Sequence, residues 1–285
     1  MFVVMFFLKL LSRIPLPILY WFSDFLFFMS YRVVGYRRKL VKKNLKNSFP
    51  EKSKAELKSI EKEFYKNLCD YAVETLKLLT ISETELRKRM EFTNLPTVRA
   101  ILDTQTSIIM FASHQFNWEW LLAVGSLNHP IDFVYQQQSS KLFDDFSLAG
   151  RMRFGAYPIK REQVARESIS RKSITRGIAI MADQFPGKKR DKKYWTTFLN
   201  QDTAFFQAIS QLTVMLQYPV VYTAIRKKKR GYYEAEYIVI DNPPYEKGSD
   251  LMVDHYARAT EKIIQENPAE WLWSHNRWKK KRPLS

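Results

Sequence analysis

Apolar and polar positions divide the chain into an almost unbroken apolar N-terminus, a short cationic stretch, and a long remainder in which helical and β-like periodicities alternate. In positions 1–31 the only charges are Lys9, Arg13 and Asp24, set among Phe, Leu, Ile, Val, Trp and Tyr. The run over 14–31 is about long enough to cross a bilayer, with Pro15 and Pro17 near its start and Asp24 inside it. Two arrangements remain open, a tilted or bent transmembrane helix and a helix lying in the interface, and both make the protein membrane-associated. A signal peptide fits poorly, since the first positive charge arrives only at Lys9 and no small-residue cleavage site follows. Next come Arg32, Arg37, Arg38, Lys39, Lys42, Lys43 and Lys46. By the positive-inside rule they place the bulk of the chain on the cytoplasmic side of the membrane. The expected organisation is therefore 1–50 as membrane anchor and basic juxtamembrane segment, and 51–285 as the folded domain.

Beyond Pro50, Ser53-x-x-Glu56 is a capping box ahead of Leu57, Ile60, Phe64, Leu68 and Ala72, which predicts a helix to about position 79. Ser82-x-x-Glu85 opens a second, short one. Strand-like runs follow at 107–112, 131–135, 178–182, 220–225 and 233–240. Helical patterns lie between or after them at 118–127, 141–154, 203–217 and 252–266. This order predicts an α/β fold, a mostly parallel or mixed sheet flanked by helices, with chemistry beyond the carboxyl ends of its strands.

Composition narrows the function. The chain has 285 residues and a net charge of +17, with eight glycines that form neither a dinucleotide fingerprint nor a complete P-loop; Gly150 and Gly155 are correctly separated, but Ala156 and Tyr157 follow. Cys69, alone, excludes an intramolecular disulfide and any multi-cysteine metal site, and its place inside a predicted helix reads as packing. His114, His129, His255 and His275 show no paired-ligand spacing, so nothing argues for a metal.

The apolar run Ile108-Ile109-Met110-Phe111-Ala112 passes directly into Ser113-His114-Gln115-Phe116-Asn117-Trp118-Glu119. On one continuous helix His114 and Glu119 would stand about 140° apart. They could meet if His114 lies on the turn leaving the strand and Glu119 in the first turn of the next helix. Glu119 would then accept the imidazole N–H and leave the other nitrogen as a general base. The competing reading is a loop histidine and a solvated glutamate.

This H-x4-E element resembles the H-x4-D/E motif of the glycerolipid acyltransferase superfamily, and its setting resembles the lipid A biosynthesis (lauroyl/myristoyl) acyltransferases. The likeness runs in order through Gly35-Tyr36-Arg37-Arg38, Lys43-Asn44-Leu45, Phe49-Pro50, Ser113-His114 with Asn117-Trp118-Glu119, Gly150-Arg151-x-Arg153, Asp183-Gln184 with Pro186-Gly187, and Trp271-x-Trp273-x-His275-x-Arg277-Trp278-Lys279. The resemblance implies transfer of a fatty acyl chain from an acyl carrier protein (or coenzyme A) thioester to a hydroxyl of an anionic lipid A precursor, at the inner membrane with the catalytic domain facing the cytoplasm. His114 would be the base, Glu119 its orienting carboxylate, and no cofactor is needed beyond the thioester co-substrate. Arg151 would bind a substrate phosphate or support the oxyanion, Asp183 would contact substrate or hold a neighbouring cation, and Arg153, Gln184 and Asn117 would be lesser substrate-site contacts. The competing readings are a solvated helix arginine and a turn-forming aspartate.

One position departs from the pattern, Phe116 standing where relatives carry glycine, and altered specificity is the expected consequence. A glycerolipid or amino-acid-lipid acceptor is therefore the alternative, and a catalytically silent basic scaffold a third reading. The basic clusters at 188–193, 226–230 and 279–282 fit solvated faces or anionic partners; no nucleic-acid-binding motif accompanies them.

Overall fold

The computed structural model describes residues 2–283. Its centre is a seven-stranded sheet in the order β1-β9-β8-β2-β5-β3-β4, formed by Met90–Phe92 (β1), Ile108–Ala112 (β2), Ile131–Tyr135 (β3), Tyr157–Lys160 (β4), Gly177–Met181 (β5), Val220–Lys229 (β8) and Tyr232–Asp241 (β9). All neighbours are parallel except the β8–β9 hairpin. The central strands β2 and β5 read as continuous apolar runs because helices cover both faces of the sheet.

Helices follow the predicted periodicity closely. Ser53 and Glu56 make both bonds of the capping box at the start of Lys54–Lys77 (α4), and the Ser82 side chain accepts from Glu85 N at the start of Glu83–Arg89 (α5). Trp118–Asn128 (α7), Lys141–Met152 (α8) and Leu251–Glu266 (α11) lie where expected. Leu95–Leu102 (α6) and Val164–Ser170 (α9) are short additions.

The helix predicted over 203–217 is a correction. Its first residues belong to an antiparallel hairpin of Lys193–Phe198 (β6) and Gln201–Phe206 (β7), and the helix proper is Ala208–Leu216 (α10). Leu199 and Asn200 turn the chain with φ of 49° and 60°, a left-handed pair that sequence periodicity does not reveal.

At the N-terminus, Phe2–Leu11 (α1) and Leu16–Phe27 (α2, continued by a π-helical stretch Phe28–Val33) precede Arg38–Ser48 (α3). No single helix is long and apolar enough to cross a membrane; by length and composition one pair, Val3–Leu11 with Leu16–Val33, passes together but is bent by 110°. The inner face of α2 packs on α4, and Leu16 and Leu19 join the buried cluster that contains Trp120, Leu121 and Val124 of α7.

Candidate active site

Parallel pairing of β2 with β5 aligns Ala112 with Met181, so the residues two beyond each, His114 and Asp183, emerge side by side at the carboxyl end of the sheet. Tyr256 of α11 ties the two strand ends, accepting from Ala182 N at 3.1 Å and donating to Ala112 O at 3.0 Å.

Asp183 is 1% exposed and every contact of its carboxylate is with the site. Oδ1 lies 2.6 Å from His114 Nδ1; Oδ2 accepts from His114 N at 2.9 Å and from Trp271 Nε1 at 2.7 Å. Burial works against its charge, but the His114 imidazole and these N–H donors outweigh it and bring the carboxyl down to about 2. Facing a carboxylate, Nδ1 carries the proton, and Nε2 makes no hydrogen bond among the described residues. Both oxygens of Asp183 are thus engaged, by the His114 ring and backbone N–H and by Trp271.

The carboxylate on the histidine is thus Asp183 and not Glu119, which corrects the sequence expectation. The Asn117 side chain caps α7 by accepting from Glu119 N and Trp120 N, both at 3.1 Å, so the helix begins at Trp118. Glu119 is engaged elsewhere. Arg151 on α8 holds it bidentately, Nε to Oε2 at 2.8 Å and Nη2 to Oε1 at 2.6 Å, and Trp118 Nε1 adds a bond of 3.0 Å. Burial raises the Glu119 carboxyl, but Arg151 and these bonds more than reverse that and hold it below the usual range. Burial alone would lower the Arg151 pKa; the Glu119 charge raises it instead.

Arg151 is therefore neither solvated nor free, though its Nη1 makes no hydrogen bond among the described residues. Arg153 lies away from the site, its Nη1 donating to the carbonyls of Leu78 and Ile81 just past α4. Gln184 is half-buried beside Asp183, with no side-chain hydrogen bond among the described residues. Asn117 reaches further than expected, since its Nδ2 donates to Glu74 Oε2 at 2.8 Å.

Phe116 is buried in the core, its ring 6.1 Å from Phe64, 5.3 Å from Tyr71 and 5.6 Å from Trp118. It does not line the neighbouring cavity. That cavity, about 70 Å³, runs from Trp118, Glu119 and Arg151 between α7 and the sheet, over Leu122, Phe133 and Ala179. Its lining is apolar apart from Glu119, Arg151 and Thr223.

In the sequence Trp271 stands only as part of the family resemblance, with no role in the site; the structure makes the C-terminal segment a wall of the site. Phe116 N donates to Glu270 O at 2.9 Å and Leu272 N to His114 O at 3.1 Å, which pins the turn on both sides of a bridge between Gln115 and Trp271. His275 Nε2 accepts from Phe185 N at 3.2 Å, and burial holds its pKa down to about 4. The spaced tryptophans, His275 and Arg277 were the available signal. Among the described residues no group of three or more His, Cys, Asp or Glu is arranged to hold a metal ion.

The sheet and this strand-end imidazole on a buried carboxylate make an α/β fold whose site has the geometry that general-base chemistry requires. Over residues 1–280 the chain matches the bacterial lipid A biosynthesis acyltransferase family, and it belongs to that family. It is accordingly an acyltransferase. A comparison with curated proteins finds no match to the chain.

Proposed function

We propose that this acyltransferase works bound to the cytoplasmic face of the inner membrane, moving a fatty acyl chain from an acyl carrier protein thioester to a hydroxyl of a lipid A precursor. The observation that carries the reading is the His114 Nδ1 to Asp183 contact of 2.6 Å beside an apolar cavity, in a chain of this family.

His114 Nε2 takes the proton of the acceptor hydroxyl as its oxygen bonds to the thioester carbonyl carbon. The carbonyl oxygen becomes the oxyanion, for which the uncommitted Nη1 of Arg151 is a cationic donor. Collapse of the tetrahedral intermediate breaks the C–S bond, and the imidazolium returns its proton to the departing thiolate. Asp183 holds the ring and stabilises the imidazolium. The Glu119–Arg151 pair stands at the cavity mouth, and the apolar lining behind it guides the acyl chain inward, the cavity widening from its about 70 Å³ to take more than the first few methylenes. Several surface cations are already spent: Arg226, Lys227, Lys228 and Arg230 pair with acidic neighbours, as do Lys188 and Arg190. Anionic partners would meet the exposed lysines of α3 instead.

The test is transfer by solubilised protein from a range of acyl carrier protein thioesters to an under-acylated lipid A precursor, read by mass spectrometry. Wild type adds one acyl chain; His114→Ala is inactive, and Asp183→Asn loses about three to four orders of magnitude in kcat with little change in KM, by analogy with other carboxylate-oriented histidines. An active His114→Ala would sink the assigned base. Transfer only to glycerolipid or amino-acid-lipid acceptors would move the acceptor class and leave the base in place.

A further inference from the structure

The two faces of α2 are made for different surroundings. Outward, Ile18, Trp21, Phe22, Phe25 and Phe28 recur at three- and four-residue spacing, with Trp21 74% exposed, and α1 adds Phe6, Phe7 and Leu10. So large a contiguous apolar surface is uncommon on a soluble monomer.

Inward, α2 is bonded along its length to the folded domain. Tyr20 Oη donates to Glu74 at 2.7 Å, Ser23 Oγ to Asp70 at 2.7 Å, and Asp24 pairs with Arg230 at 2.7 Å. The bend between the helices is held as well, with Lys77 Nζ donating to the carbonyls of Ser12 and Ile14, each at 2.9 Å. These bonds lay α2 along α4, whose own exposed positions include Lys58, Lys62, Glu63 and Lys66. Standing α2 upright through a bilayer would break them or draw Asp24, Asp70 and Arg230 into hydrocarbon, where charged groups are strongly disfavoured. Nor does α1 reach across, since its 10 residues extend about 15 Å against a core of about 30 Å.

We propose that α1 and α2 form a one-leaflet anchor, a bent hairpin in the headgroup and acyl boundary of an anionic bilayer, with Trp21, Phe22 and Phe25 facing the lipid and neither helix crossing. Charge selects the occupant. Lys9 and Arg13 lie on the hairpin, and the exposed Lys39, Lys42, Lys43 and Lys46 of α3 make no ion pair among the described residues. An anionic leaflet complements them, whereas a second copy of a chain of net charge +17 would bring the same cations. This rests on the membrane attachment proposed above but is independent of the reaction catalysed.

The experiment uses full-length protein carrying Cys69→Ser with a single new cysteine, Val3→Cys or Phe25→Cys, bound to phosphatidylethanolamine–phosphatidylglycerol vesicles. A membrane-impermeant maleimide should modify Val3→Cys only from the outer side, and a nitroxide at Phe25→Cys should report a depth of about 5–10 Å. The paired change Trp21→Asp with Phe25→Asp should weaken vesicle binding at least about tenfold, with the acyl transfer of detergent-solubilised enzyme retained. Labelling of Val3→Cys from the vesicle lumen, or a nitroxide at the bilayer midplane, overturns the one-leaflet arrangement. Undiminished vesicle binding by the paired variant, or a wild type that is dimeric in detergent where the paired variant is monomeric, overturns the lipid-facing assignment. Loss of acyl transfer with the anchor intact would fault the proposed reaction alone.

Discussion

At the scale of single residues, Glu270 carries the clearest pH dependence outside the His114–Asp183 pair. It is 7% exposed, and both carboxylate oxygens accept the Lys227 backbone N–H, at 3.3 and 3.1 Å. Burial prevails over those bonds and over the Lys227 charge and pushes its carboxyl up to about 7. With the folded value above the unfolded one, its contribution to stability is intact below about pH 4.5. It declines as pH rises through the folded value, by an amount on the order of 3 kcal/mol. Glu270→Gln should therefore raise the melting temperature at pH 8 and change it much less at pH 4.5; an equal shift at both would mean that the carboxyl does not titrate there. His114 was legible because an apolar strand ends directly before it. Its partner was not, since Asp183 lies 69 positions away and only the register of β2 against β5 brings them together. Glu119, five positions from His114, is nearer in sequence but is turned to Arg151 by the Asn117 cap.

Between elements, Glu74 on α4 is the buried junction. Its Oε1 accepts from Tyr20 of α2 at 2.7 Å, and its Oε2 from Asn117 of the turn after β2 at 2.8 Å and from Tyr233 of β9 at 2.7 Å. Its backbone carbonyl accepts from Trp120 Nε1 of α7 at 3.0 Å. Burial raises its pKa despite the three side-chain bonds. Glu74→Ala leaves three donors without an acceptor and should cost about 3 kcal/mol or more in denaturant unfolding. Acyl transfer should fall with it, because Asn117 loses its anchor while still capping α7. Full activity in a destabilised Glu74→Ala protein would mean that the turn is held sufficiently by Glu270 and Leu272 alone. The capping boxes and the 3.6-residue periodicity announced α4 and α5, whose signals are local. The β6–β7 hairpin escaped notice because Phe205, Phe206 and Ile209 fit a helical spacing, and its left-handed turn is visible only in the backbone.

Across the whole molecule, the N-terminal helices are structural members as well as an apolar surface. Leu16, Leu19 and Tyr31 are buried in the two main clusters, and Tyr20, Ser23 and Asp24 supply partners to Glu74, Asp70 and Arg230. A chain starting at residue 37 should therefore melt at least about 10 °C lower and aggregate instead of yielding a soluble catalytic domain, as sedimentation and thermal unfolding in detergent would reveal. A stable, active, monomeric truncate would reduce the hairpin to an appendage.

Local signals in the sequence determined the α/β order, the strand leading to His114, the caps of α4 and α5 and the apolar character of the N-terminus, because each depends on residues within a turn or two of one another. The family resemblance was legible in the same way, as a series of short segments in order along the chain. Tertiary structure decided which carboxylate meets the imidazole, that Arg151 pairs with Glu119 and keeps only Nη1 uncommitted, that Phe116 fills the core, and that the C-terminal tryptophan segment walls the site. Those pairings are set by strand register and by competition for buried hydrogen-bond partners, which join residues far apart in sequence and leave no period in it.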